Sequence, residues 1–334
     1  MDAPDVPDAT DATDARSPRR PSVPALFATL LAGLLTAGCS AGGGADGPAE
    51  PALGPVAVNP STATLALPLD AYEDTDEEKS RLAAAQQRLA VDCMARFGFA
   101  YAPPPAPARP ARTDRHRHLF GLADPAEAAA YGYDKDAGRP PRERPARPVL
   151  SDSARTVLYG ERPGAQGGQP GPDPRSEEEA ATADSGITVG GRRVPAGGCL
   201  RESYRKLYAP KKDSVDLLFA FGLASEAHTR AQRDSRVVAV VAEWSACMAR
   251  AGHRGVDSPY EVTARLGLDA EPGGAKAVAV AVRDVACKRE VNLVGVWAAV
   301  EAAYQQRLLE AQAETLAAYR TQRTTRLRLA ATLL

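Results

Sequence analysis

Residues 93–98 read Cys93-Met94-Ala95-Arg96-Phe97-Gly98, and residues 247–252 read Cys247-Met248-Ala249-Arg250-Ala251-Gly252, identical at five of six positions. Downstream, Cys199-Leu200-Arg201-Glu202 is matched by Cys287-Lys288-Arg289-Glu290, and between them Phe120-Gly121-Leu122 is matched by Leu266-Gly267-Leu268. Three matches in one order point to an internal duplication. They place one helical module over 69–210, with a Pro/Gly-rich insert at about 134–198, and a second over 226–334.

Each CMARxG stretch closes a helix. Asp74 to Glu78 offers an N-cap and an acidic first turn, which suits the positive end of the helix dipole. Leu82, Ala85, Leu89, Cys93 and Phe97 then follow at helical spacing, and Gly98 is the stop. In the second module Val237, Val241, Trp244, Met248 and Ala251 line a similar face that ends at Gly252. Met94, Met248 and Trp244 at this spacing read as core packing rather than as a cofactor box. Four of the five cysteines belong to the repeat, and of their three connectivities the repeat selects Cys93 with Cys199 and Cys247 with Cys287. These bridges close loops of about 107 and about 41 residues, each contributing about 4 kcal/mol in the chain-entropy account.

Composition bounds the rest. The 334 residues are 44% hydrophobic but only 5% aromatic, and 41 basic against 42 acidic side chains leave a net charge of −1. That balance, with no block of five or more like charges, gives no support for a nucleic-acid-binding protein. From Gly274 onward the chain contains no proline, so a long C-terminal helix or a bent pair is expected. Its apolar stripe comprises Leu293, Trp297, Val300, Tyr304, Leu308, Ala311, Leu316 and Tyr319. Arg320, Arg323, Arg326 and Arg328 gather near its end. Asp124-Pro125 opens a short helix through Tyr131, and Ser258-Pro259 opens another. The insert is expected to be mostly irregular, with a short ordered piece at Ala154 to Tyr159.

At the other end, a basic pair at Arg19-Arg20 precedes an apolar run from Ala25 to Leu35, the anatomy of a secretory signal over residues 1–38, with an atypical acidic extension at 1–16. Eleven residues of helix span about 16 Å, short of the ~30 Å hydrocarbon core. Leu35-Thr36-Ala37-Gly38-Cys39 resembles the lipobox of bacterial lipoproteins. The resemblance implies cleavage before Cys39, acylation of its sulfur, and a place on the outer face of the cytoplasmic membrane. Residues 39–68, rich in Gly, Ala, Pro and Ser, read as the anchor and a flexible, disordered tether.

Chemistry-bearing motifs are few. There is no GxSxG, P-loop, dinucleotide fingerprint, HExxH or EF-hand, and nothing in the pattern calls for a cofactor or a metal. His116-x-His118 stands among arginines and reads as a solvated basic turn. The acidic cluster Asp70, Glu73, Asp74, Asp76, Glu77, Glu78 lacks the turn-forming Gly of a Ca²⁺ loop and reads as a helix start. His228 and His253 show no partner in the sequence.

With LPLDAY at 67–72, CMARFGF at 93–99, GLADPAEAAAYGY at 121–133, Gly197-Gly198-Cys199 and CKREVNLVGVW at 287–297, the chain resembles a group of uncharacterised secreted lipoproteins of high-GC Gram-positive, actinobacterial type. That resemblance brings no activity, substrate or active-site residue with it. The expectation is therefore an all-α, disulfide-stapled ectodomain of two related modules on a lipid anchor at Cys39. It would act as a non-enzymatic binding or interaction module, with a protein or cell-wall partner met through the C-terminal helix. The alternative is an envelope hydrolase using carboxylates assembled between the modules, and a third reading gives the arginine-rich end a role on anionic envelope polymers.

Overall fold

The computed structural model describes residues 49–104, 115–136, 149–161 and 173–334. The expected signal segment, Cys39 and the start of the tether lie outside the described residues. In chain order the first helices are α1 (Asp76–Arg96), α2 (Pro125–Tyr131), α3 (Asp152–Tyr159), α4 (Glu177–Ala180) and α5 (Gly198–Tyr208). After them come α6 (Phe219–Ala231), α7 (Ser235–Arg250), α8 (Val262–Leu266), α9 (Ala275–Glu290), α10 (Leu293–Ala311) and α11 (Ala313–Leu333). The sole sheet among the described residues is a hairpin of β1 (Thr188–Val189) and β2 (Arg192–Arg193). No helix among the described residues is long and apolar enough to cross a membrane.

Of the acidic cluster, Asp76, Glu77 and Glu78 form the first turn of α1, whereas Asp70 belongs to the preceding Pro68–Tyr72 turn. Thr75 Oγ1 accepts from the Glu78 N–H at 3.1 Å while the Glu78 carboxylate accepts from the Thr75 N–H at 2.8 Å, a reciprocal cap on α1. At the far end Gly98 takes φ +79°, and the Phe99 N–H returns to the Met94 carbonyl at 3.1 Å. The duplicate repeats this ending at α7, with Gly252 at φ +92° and the His253 N–H on the Met248 carbonyl at 2.9 Å. Both disulfides follow the pairing selected by the repeat, Cys93 with Cys199 and Cys247 with Cys287, each with Cα atoms 5.6 Å apart. One turn beyond each cysteine pair an arginine meets a glutamate: Arg96 with Glu202 at 2.5 Å and Arg250 with Glu290 at 2.9 Å. Burial pushes the Glu202 carboxyl up, but Arg96 and Lys206 outweigh it and hold the group below the usual carboxylate range. The matching Glu290 pair is solvent-exposed and contributes little. The duplication is thus clearest at the staple and its cap. Cys199 lies in the first turn of α5, whereas Cys287 lies in the last turn of α9, a full helix that has no equivalent running into Cys199 among the described residues.

The ordered piece expected within the insert at Ala154 to Tyr159 is α3. It buries Val157 and Leu158 completely against Met94, Val194 and the first disulfide, and the hairpin closes that small core. A β-carbon at Gly160 would come within 2.4 Å of the Gly198 nitrogen, so the end of α3 and the start of α5 meet backbone to backbone. A few well-placed aliphatic side chains suffice here because the bridge has already fixed the neighbouring backbone. Residues 49–68, expected to be part of the tether, are held by the fold. From Ala49 the chain lies on the body: Arg307 Nη1 donates to the Ala49 carbonyl at 2.6 Å, Arg236 Nη1 to Pro51 at 2.9 Å and Asn292 Nδ2 to Ala57 at 2.9 Å. Leu53, Leu65 and Leu67 supply apolar anchors that a count of Gly and Pro overlooks.

The C-terminal stretch is three helices rather than one long helix or a bent pair. Asn292, at φ 54°, breaks it between α9 and α10, and its side chain holds Ala57 and the Asn59 N–H, offsetting the left-handed backbone. Gln312 breaks it again. Helix α10 is the axis of the main core, with Leu293, Trp297, Val300, Tyr304 and Leu308 all buried among α6, α7 and the Pro68–Tyr72 turn. Helix α11 crosses to the first module, where Ala330 packs on Leu82, Ala85 and Leu207. In exchange, the first module sends residues 115–136 into the second: Phe120 is buried against Trp297 with ring centroids 5.7 Å apart, and Leu122 and Ala128 pack on Ala281 and Val285 of α9.

One buried charge fastens that exchange. Asp284 is sealed from water and accepts from Trp244 Nε1 at 2.8 Å, Tyr133 hydroxyl at 3.1 Å and Lys288 Nζ at 3.0 Å. Lys288, equally buried, also donates to the Leu122 carbonyl at 2.7 Å. Burial and the neighbouring Asp284 charge push the Tyr133 phenol well above its ordinary value, so it stays a donor. Asp284→Ala leaves Lys288 buried without a counter-charge and is expected to cost about 3–5 kcal/mol in urea unfolding. Glu290→Ala, removing an exposed pair, is expected to cost under about 1 kcal/mol in the same assay.

Candidate functional site

Helix α7 is apolar on two sides. Val237, Val240, Trp244, Cys247 and Met248 face the core, while Val238, Val241, Ala242 and Ser245 form an outward stripe, with Val238 54% exposed. A helix apolar nearly all round calls for cover on both faces. The outward stripe is one wall of a groove of about 610 Å³; the turn Asp257-Ser258-Pro259-Tyr260 is the other, Trp297 lines the space between them, and Gln232 joins the lining. The Ser258-Pro259 helix start expected from the sequence is this turn: α8 begins only at Val262, because the Glu261 N–H bonds back to the Ser258 carbonyl at 3.1 Å.

A closed hydrogen-bonded array supports the aromatic side of the groove. His228, in the last turn of α6, places Nδ1 3.0 Å from Glu301 Oε2 and Nε2 3.0 Å from the Tyr260 hydroxyl. Its ring lies parallel to Trp297 at 5.7 Å. Glu301 is 1% exposed, and its other oxygen accepts from Gln305 Nε2 at 3.2 Å. Gln305 in turn accepts from the Leu69 N–H at 3.0 Å, and Tyr260 donates to the Leu119 carbonyl at 2.5 Å. Burial pushes the Tyr260 phenol up, a Gln232 hydrogen bond opposes this, and the Glu301 charge adds to it; the net rise keeps the phenol a donor rather than a nucleophile. Each member of the array has a partner, so it positions and orients Tyr260 and Trp297. Asp257 is the one carboxylate in the groove lining, where two-carboxylate hydrolysis would need a pair.

The remaining sequence candidates sit elsewhere. His116 is not solvated: it is buried, with Nε2 3.0 Å from Asp70 Oδ2, and His118 lies 3.8 Å from Glu127. The local pattern of arginines concealed that Asp70, 46 residues away, would come to meet it. The C-terminal arginines are largely engaged within the fold. Arg326 donates to both oxygens of Asp74 at 3.0 and 2.8 Å, Arg323 bonds Asp74 and Glu78, and Arg320 stacks over Tyr72 at 4.3 Å. Arg328 is exposed. No group of three or more metal-ligating side chains occurs among the described residues. A second groove of about 570 Å³, between Pro51–Pro55 and the alanine face of α10, is without aromatic side chains, and its Gln306 and Arg307 bond Glu310 and Ala49. No signal in the sequence marks the His228 array, since its parts lie 32 and 73 residues apart on three elements.

Asp70 carries a pH-dependent share of stability. Burial raises its pKa, but the His116 hydrogen bond, the Leu67 N–H and the His116 and Arg115 charges outweigh it and hold the carboxyl below its ordinary value. A depressed folded-state value stabilises above the unfolded pKa of about 3.9 and is lost as pH falls through the folded one. The stability gap between the wild type and Asp70→Asn, measured by urea unfolding, is therefore expected to be full at pH 5–7 and to shrink below about pH 4.

No protein-family model, no curated protein and no solved structure matches the chain.

Proposed function

We propose that the protein is a lipid-anchored protein of the cell envelope, held at the outer face of the cytoplasmic membrane through Cys39, that binds a ligand in the groove between α7 and the Asp257–Tyr260 turn without transforming it. The observation that carries the binding role is the outward apolar stripe of α7, faced across about 610 Å³ by an aromatic wall that the half-buried His228 array, rooted on buried Glu301, holds in place. The supposed docking surface on the C-terminal helix loses its basis, because Leu308, Leu316 and Tyr319 are buried inside the fold. The anchor is supported by cysteine usage. Four cysteines are consumed by two disulfides, which suits an oxidising compartment, and Cys39, behind its small-residue stretch, is the remaining one.

Two measurements test this reading. In a Gram-positive host fed an alkyne-bearing fatty acid, the wild type is expected to carry the label and to sediment with membranes, and Cys39→Ala to lose both. Unlabelled wild-type protein would overturn the anchor. A photocrosslinking residue at Val238 is expected to give a discrete adduct on cells that Val241→Arg abolishes, whereas the same residue at exposed Val282 of α9 gives none. Turnover of envelope polymers by the purified protein would instead support the hydrolase alternative.

A further inference from the structure

Both tryptophans of the chain are buried, but their indole N–H groups are treated differently. Trp244 Nε1 donates to Asp284 at 2.8 Å. Trp297 is 2% exposed, its Nε1 is buried, and no hydrogen-bond acceptor meets it among the described residues. The rings packed around it spend their polar atoms elsewhere: the His228 nitrogens on Glu301 and Tyr260, the Tyr260 hydroxyl on Leu119 and His228. Buried donors are nearly always paired, so an orphan is a place that another group can complete. Trp297 also lines the groove, and a molecule seated there packs against the ring that holds the unmet donor.

The rest of the lining limits the head group. Among the described residues Asp257 is its one charged side chain, and no lysine, arginine or histidine lines the groove. A carboxylate or phosphate has lone pairs for Trp297 but meets the Asp257 charge. An ammonium suits Asp257 but has no lone pair to offer. An uncharged carbonyl oxygen meets both conditions, and Val238, Val241, Ala242 and Pro259 supply apolar contact for an alkyl chain beside it. We infer that the groove takes a neutral aliphatic molecule bearing a carbonyl oxygen, and that Trp297 determines specificity by donating its indole N–H to that oxygen. This rests on the groove being the ligand site.

Indole N–H NMR of the full-length protein provides the test. The probe is methyl hexyl ketone, and the control is its isostere in which a methylene group replaces the carbonyl oxygen. The ketone is expected to move the Trp297 indole proton downfield and to leave that of Trp244 in place, whereas the control gives no downfield shift. A Trp297 proton that responds alike to both molecules would overturn the inference. Trp297→Phe should weaken ketone binding about fivefold more than binding of the control, the worth of one ordinary hydrogen bond. Equal weakening of the two in a folded variant counts against the role of Trp297. Octanoate is expected to bind the wild type more weakly than the ketone and to gain about threefold in Asp257→Asn; octanoate as tight as the ketone on the wild type removes the neutral class. If neither ketone nor control binds the wild type in a manner that Val241→Arg prevents, the groove itself fails as ligand site. That result is distinct from binding of both without discrimination, which sinks the inference and leaves the groove standing.

Discussion

Asp284 is a carboxylate with no access to water, and three elements converge on its two oxygens. A buried charge of this kind is tolerable only when its partners arrive together. Trp244 comes from α7, Lys288 from one turn further along Asp284's own helix α9, and Tyr133 from a segment 151 residues earlier in the chain. Lys288 then reaches the Leu122 carbonyl, so both ends of the crossing segment are tied to α9. With that segment placed, Phe120 can stack on Trp297 and the Leu119 carbonyl can receive Tyr260. The aromatic wall of the groove thus depends on a charge buried on the other side of the core.

The two modules are less separate than a duplication implies. Each gives up an element to the other: residues 115–136 pack within the second, and α11 seals the first through Ala330 and the Arg323 and Arg326 contacts to Asp74 and Glu78. Disulfides hold the points where helices end, and the exchanged segments join what lies between them. In a chain with only 5% aromatic residues this arrangement sets several of its few rings at shared surfaces: Phe120, Tyr133, Trp297 and Tyr319 all lie at contacts between the halves or along α10 and α11.

How much of this the sequence reveals follows from range. The repeat predicted both bridges and both helix ends because cysteine, glycine and helical spacing are local signals, and the Asp124-Pro125 start of α2 is legible for the same reason. Composition misled where a few side chains outweighed many, since Leu53, Leu65 and Leu67 hold residues expected to be tether, whereas the ordered piece expected at Ala154 to Tyr159 is α3, with Val157 and Leu158 in its core. The groove and its array were not legible at all. His228, Tyr260, Trp297 and Glu301 are unremarkable singly, and the apolar outward stripe of α7 reads as core until its second face is seen to be open. The arginines near the C-terminus looked like a free basic face because their carboxylates, Asp74 and Glu78, lie some 250 residues away.

That distance also orders events in time. Leu82 and Ala85 on α1 are covered by Leu207 and by Ala330, so the cover on the inner face of the first long helix stays incomplete until residue 330 has left the ribosome. At roughly 5–20 residues per second, the wait between the two is roughly 12–50 seconds. The early helix must pass that interval with an apolar surface exposed, and a chaperone or a slow, unfolded passage is the natural company for it.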